Sequence, residues 1–166
     1  IERAVGDQNG TGNTTSGHNL LANTLGVAMY STTRGTKIVD NNFSSNTGGS
    51  VFAEFSAENL VQGNQIALSG GAAISLQFSS ENTILENEIT DASGPGVEIT
   101  GQEGPEVPLE LPVNTGADDN RIERNVIKNG GGGIVIASAN RNQILFNDIR
   151  SNTGGAVAVE MSRDNV

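Results

Sequence analysis

Cysteine and tryptophan are both missing from this chain of 166 residues, tyrosine and histidine occur once each, and nine lysines and arginines face nineteen acids. Each shortage excludes something. Without cysteine there is no disulfide framework and no thiolate zinc site, and the redox compartment is not readable. A lone His18 makes no histidine cluster for zinc or copper. A formal net charge of −10 removes the clustered cations that meet phosphate, so nucleic acid is not an expected partner, and anionic membranes are disfavoured for the same reason. No apolar run reaches membrane-spanning length, so no membrane insertion is expected. Aromatic residues make up 4% and apolar residues 35%, a composition that taken alone leans toward disorder.

What the chain does hold is 22 glycines and 20 asparagines, and the asparagines keep a beat. The frame N-x-[I/L/V]-x-x-N-x-I occurs at 59–66, 82–89, 120–127 and 142–149. Disordered tracts do not hold Ile and Val at a fixed distance from Asn. Taking Asn23, Asn41, Asn64, Asn87, Asn125 and Asn147 as the second Asn of successive frames, most intervals are about 22 residues, with one short step of 18 and one long step of 38. A repeat of that length, built of short β-like runs without helical periodicity, predicts a solenoid.

Each repeat offers three strands, such as 82–85, 87–90 and 96–100. Ile84, Ile89, Val97 and Ile99 point inward by alternation. Ile66, Ile74 and Leu76, then Ile122, Ile127, Ile134 and Ile136, then Ile144, Ile149, Val157 and Val159 are their counterparts. Met29 and Met161 also fall on inward positions. The Asn between the first two strands reads as the residue that takes the left-handed bend and bonds its amide to its neighbours above and below. His18, in place of the first Asn of a frame, reads as a turn substitute. Glycines at 48–49, 70–71, 130–133 and 154–155 mark a wider bend before the third strand.

These frames and turns resemble the right-handed parallel β-helix repeat family of the pectate-lyase-like superfamily, which includes a periplasmic protein of nitrous-oxide-reductase maturation and many carbohydrate-active proteins. The resemblance covers about residues 18–166. It implies an all-β, single-stranded right-handed parallel β-helix of six to seven coils. One domain over 1–166 is expected, with 1–17 as a degenerate first coil in which Ile1-Glu2-Arg3 echoes Ile122-Glu123-Arg124. An inserted loop is expected at 101–119, holding three of the four prolines and the acids Glu103, Glu106, Glu110, Asp118 and Asp119. The ending Asp164-Asn165-Val166 reads as the opening of another repeat, hence the expectation of a longer array.

By register the third strands put two columns outward. One is Ala28, Phe52, Ser75, Glu98, Val135 and Ala158; the other is Tyr30, Glu54, Gln77, Thr100, Ala137 and Glu160. In the similar proteins this outer sheet holds polysaccharide. The resemblance therefore implies a secreted, periplasmic or cell-surface module that binds or processes a uronate-type polysaccharide, with Tyr30, Phe52, Gln77 and Thr100 as ligand contacts. Glu54 and Glu98 are the catalytic candidates for a lyase, epimerase or glycoside hydrolase. The basic residue that lyases of this fold use has no counterpart on the two columns: Arg121, Arg141 and Arg163 begin first strands and are read as a corner stack pairing with Asp119, Asp148 or Glu160. Galacturonase-type motifs are present only as the fragments Asp118-Asp119, Ser16-Gly17-His18 and Arg121-Ile122-Glu123. No cofactor is required; calcium is the metal that oxygen ligands from Asp118, Asp119 and Glu103 would suit. The alternative function is a non-catalytic structural or adhesin segment that self-associates end to end.

Overall fold

The computed structural model describes residues 3–102 and 116–166. Among them there is no helix. After β1 (Arg3–Gln8), the chain runs through six three-strand coils. They are β2 (Thr14–Ser16), β3 (Asn19–Leu21) and β4 (Leu25–Tyr30); β5 (Lys37–Val39), β6 (Asn42–Ser44) and β7 (Gly49–Glu54); β8 (Leu60–Gln62), β9 (Gln65–Ala67) and β10 (Ile74–Gln77); β11 (Thr83–Leu85), β12 (Glu88–Thr90) and β13 (Pro95–Thr100); β14 (Arg121–Glu123), β15 (Val126–Lys128) and β16 (Gly132–Ala137); β17 (Gln143–Leu145), β18 (Asp148–Arg150) and β19 (Val157–Glu160). First strands pair only with first strands, second with second and third with third, always parallel. The result is one seven-stranded and two six-stranded sheets around a common channel. This is a parallel β-solenoid of about six turns, as the repeat predicts.

The channel is filled by the aliphatics at the expected beat. Ile84, Ile89, Val97, Ile99, Ile122, Ile127, Ile134 and Ile136 are all buried in one cluster with Met29 and Phe43. Phe43 stands where the later coils have Ile, and Gly26 makes room for it: a Cβ there would lie 2.5 Å from the ring. The last coil departs from the expectation. Val157 and Val159 are each 46% exposed, and Ile144 and Ile149 are only partly buried. Met161 is no core residue at all. It is 65% exposed, at a left-handed corner (φ 46°) in line with Phe55 and Phe78.

Two columns of buried asparagine fix the corners. In one, Asn41 donates its backbone N–H (2.9 Å) and its Nδ2–H (3.1 Å) to Asn64 Oδ1; Asn64 does the same to Asn87, Asn87 to Asn125 and Asn125 to Asn147. Each Nδ2 also donates back to a first-strand carbonyl of the preceding coil: Asn41 to Thr15, Asn64 to Ile38, Asn87 to Val61, Asn125 to Ile84 and Asn147 to Ile122. The other column, Thr36, Asn59, Asn82, Asn120, Asn142 and Asn165, repeats the pattern. Asn142 Nδ2, next to the end of that column, is the one buried side-chain donor without a partner among the described residues.

The asparagines do not themselves take the bend. The residue before each one does: Asp40, Glu58, Gly63, Glu81, Glu86, Asp119, Arg124, Arg141, Phe146 and Asp164 have φ between 52° and 65°. A left-handed non-glycine residue costs on the order of 1 kcal/mol, and the turn carries the following N–H out of the strand ladder. The Asn oxygen of the next coil accepts that stranded N–H, which is why an amide and not merely a small residue recurs here.

His18 also lies one column away from its expected place. Its backbone N–H donates to Asn41 Oδ1 at 3.0 Å, so it occupies the second-Asn column, and Asn23 belongs to a third corner with Asn46. The 18-residue step therefore disappears: the first three coils repeat at 23 residues. Arg3 likewise lies on a third strand, paired with Leu25, and does not continue a first strand as the echo of Ile122-Glu123-Arg124 suggests. In that first coil Asp7 and Thr15 take positions that are otherwise held by apolar side chains.

Glu123 is the most buried carboxylate among the described residues. Its side chain is 4% exposed, in line with Leu85 and Leu145, and held by Arg121 (Nε to Oε2, 2.6 Å) and Arg124 (Nη1 to Oε1, 2.6 Å). Burying such a pair gains little over a hydrophobic isostere. Glu123→Leu, which completes a leucine column, is expected to keep or raise stability by about 1 kcal/mol, whereas Glu123→Ala loses about 2 kcal/mol. Urea midpoints of the two variants check this.

Candidate functional site

The seven-stranded sheet carries both outward columns in the expected register: Ala28, Phe52, Ser75, Glu98, Val135 and Ala158 pair in sequence, as do Tyr30, Glu54, Gln77, Thr100, Ala137 and Glu160. Tyr30, Phe52, Glu54, Gln77, Glu98 and Thr100 are half-buried; Ala28 is buried without belonging to the core cluster. Tyr30 and Phe52 meet across neighbouring strands with ring centroids 5.6 Å apart and planes at 50°. The Arg3 guanidinium lies 5.3 Å from the Tyr30 ring centre. Beside Phe52 is an open depression of about 210 Å³, lined by Phe52, Ser75, Gln77 and Glu98 together with Gly48, Gly49 and Ala72. Ser75 Oγ donates to Glu98 Oε2 at 3.4 Å.

The depression gathers Phe52, Gln77 and Glu98. It does not include Glu54 or Thr100, which continue the second column at its side. Glu54 and Glu98 stand on different columns of β7 and β13 with β10 between them, on the order of 10 Å apart. That is at or beyond the spacing at which two carboxylates share a glycosidic bond.

Two of the acids that would suit calcium have partners within the chain. Asp119 accepts from Arg141 Nε (2.9 Å) and Nη2 (2.7 Å). Asp118 accepts from the Asn140 backbone N–H (2.7 Å) and from Arg141 Nη2 (3.3 Å). The hydrogen bond and charge of Asp119, then the charge of Asp118, raise the Arg141 pKa above its ordinary value. Both acids already run in coil register, Asp119 N–H donating to Asn140 O. Glu103 lies outside the described residues, and among those described no group of three or more His, Asp or Glu side chains could hold a metal. The three arginines do not form one stack. Arg121 lines up with Gln143, Arg141 with Asp119, and Arg163 with Asn140, whose Oδ1 accepts its N–H; Asp148 pairs with Arg150.

One feature of this edge escapes strand alternation. Phe55 and Phe78 directly follow Glu54 and Gln77, at left-handed corners (φ 51° and 49°), and their rings stack with centroids 5.0 Å apart and planes at 17°. The sequence signal was available: both follow a polar outward residue and precede Ser at the same distance.

Three parallel sheets, amide-laddered corners and an open outer face define a β-solenoid of the β-helix class. The chain belongs to the family described as the right-handed β-helix region, whose family model matches residues 7–166. No curated protein and no solved structure matches it significantly.

Proposed function

We propose that the protein is a non-catalytic glycan-binding β-helix that holds a sugar chain on the outer face of its seven-stranded sheet. The supporting observation is the Tyr30–Phe52 pair beside the depression of Phe52, Ser75, Gln77 and Glu98. An aromatic face takes the apolar side of a sugar ring, while amide, hydroxyl and carboxylate groups take its hydroxyls. The likeness of the repeats to pectate-lyase-like proteins supports the same face. Two features favour binding over cleavage: Glu54 and Glu98 stand on different columns, at or beyond the spacing of a catalytic carboxylate pair, and apart from Arg3 the face carries no cation among the described residues. The same charge pattern favours a neutral sugar over a uronate, whose carboxylates would meet Glu54 and Glu98. Such a role places the protein where glycans are: secreted, periplasmic or at a cell surface.

Calorimetric titration with soluble neutral glucans, mannans and galactans, and with polygalacturonate, tests this reading. Binding to a neutral polymer is expected, weakened at least tenfold in Phe52→Ala, without release of sugar. No binding to any of these polymers, or Phe52→Ala binding as the wild type does, overturns it.

A further inference from the structure

Six side chains in the chain are aromatic, and four of them gather along one edge of the seven-stranded sheet. Phe43 is in the core and Phe146 sits on a different corner, against Arg124. Tyr30 and Phe52 lie on the face. Phe55 and Phe78 lie where that face turns, half-exposed and stacked. Between the two pairs stand Glu54 and Gln77, partners on adjacent strands. Phe55 is three residues beyond Phe52, about 10 Å of extended chain, which is further than one pyranose ring covers. Within its column the stack is bounded by Ser31 and Gly101, so among the described residues no bulky side chain flanks it in that column. A left-handed corner is a costly place for phenylalanine, and glycine would suit it better. The backbone turn alone does not call for a ring at either position.

Building on the glycan-binding reading, we propose that Phe55 and Phe78 form a second sugar platform. The site then takes a neutral oligosaccharide of at least three rings. One ring lies against Tyr30 and Phe52, the middle bonds to Glu54 and Gln77, and a further ring lies against the corner pair. A neutral chain suits the acid between the platforms, and alternating aromatic and hydrogen-bonding groups match a polymer whose rings each have an apolar face and a hydroxyl rim.

The test measures affinity against ligand length, using gluco-, manno- and galacto-oligosaccharides of two to six residues. For the series that binds, the wild type is expected to gain at least tenfold between the disaccharide and the tetrasaccharide. Phe55→Leu/Phe78→Leu keeps apolar bulk at the corner but removes the ring faces. It is expected to bind the disaccharide as the wild type does and to lose the gain with length. Phe55→Tyr/Phe78→Tyr should keep that gain. Phe52→Ala, by contrast, should weaken binding at every length. Wild-type length dependence in the leucine variant, or no length dependence in the wild type, overturns the second platform and leaves the primary site standing. A wild type that binds none of the three series overturns both.

Discussion

Replacing Asn87 by leucine is expected to lower stability by about 4 kcal/mol, although the new side chain is apolar and similar in size. Asn87 Oδ1 accepts from Asn64 N (3.0 Å) and Nδ2 (2.9 Å), and its own Nδ2 donates to Val61 O (2.9 Å) and Asn125 Oδ1 (3.0 Å). Leucine leaves the buried Asn64 N–H without a partner and removes the further bonds to Asn64 Nδ2, Asn125 Oδ1 and Val61 O, the last of which stays in the β8–β11 ladder. The orphaned N–H costs about 1 to 3 kcal/mol, because it does not regain its bond to water, and each of the other lost bonds adds about 1 kcal/mol. Asn87→Asp separates donor from acceptor: it keeps the accepting oxygen and turns a second one toward Val61 O and Asn125 Oδ1, so it should be as damaging at neutral pH. Asn42→Ala is the control. Asn42 sits next to the ladder but is exposed, with one 3.2 Å bond to Asn19, and its loss should cost about 0.5 kcal/mol or less. Because coils contact only their neighbours, the Asn87 variants should also lose cooperativity, with the two halves of the stack melting apart. Urea curves followed by circular dichroism measure both effects. A midpoint for Asn87→Leu within error of the wild type would remove the ladder from the account of this fold.

The repeat was legible because burial and hydrogen bonding impose it on the same residues. An inward aliphatic two places after each ladder Asn is required twice, by the channel and by the strand period, so the pairing of Ala28 with Phe52, Ser75 and Glu98 could be read from spacing alone. What escaped was whatever the backbone supplies without a side-chain signature. His18 enters the ladder through its N–H, which any residue could offer, so an amide at Asn23 drew the frame to the wrong corner. The left-handed bend falls on Glu86, Arg124 or Phe146 because the corner, not the residue type, sets φ, and the Asn of the next coil accepts the N–H that the bend strands. The site was half legible for the same reason. Tyr30, Phe52, Gln77 and Glu98 follow strand alternation and were found; Phe55 and Phe78 sit one step beyond it, where alternation ends.

Glycine carries the second large effect, and two adjacent glycines separate its causes. A Cβ on Gly133 would stand 2.0 Å from the Ala156 carbonyl oxygen and 2.6 Å from Ile149 Cγ2; one on Gly132 would find nothing nearer than Pro95 Cα at 3.7 Å. Neither residue has a positive φ, so backbone freedom is not the difference. The difference is the approach of the next coil, whose carbonyl points at the Gly133 Cα while Gly133 N–H donates to Gly155 O at 3.0 Å. Gly133→Ala is expected to cost about 3 kcal/mol, since a backbone carbonyl cannot swing aside as a side chain can. Gly132→Ala is expected to be neutral or to stabilise by about 0.5 kcal/mol through the unfolded chain. The damage should stay local. The last coil already exposes Val157 and Val159, so the strain is relieved by lifting β17, β18 and β19 away from β14, β15 and β16 and leaving the earlier coils folded. Amide hydrogen exchange should therefore show protection lost over 143–160 in Gly133→Ala and kept over 37–100, while Gly132→Ala exchanges as the wild type does. Equal protection in both variants would mean that the coils are not held at the spacing described.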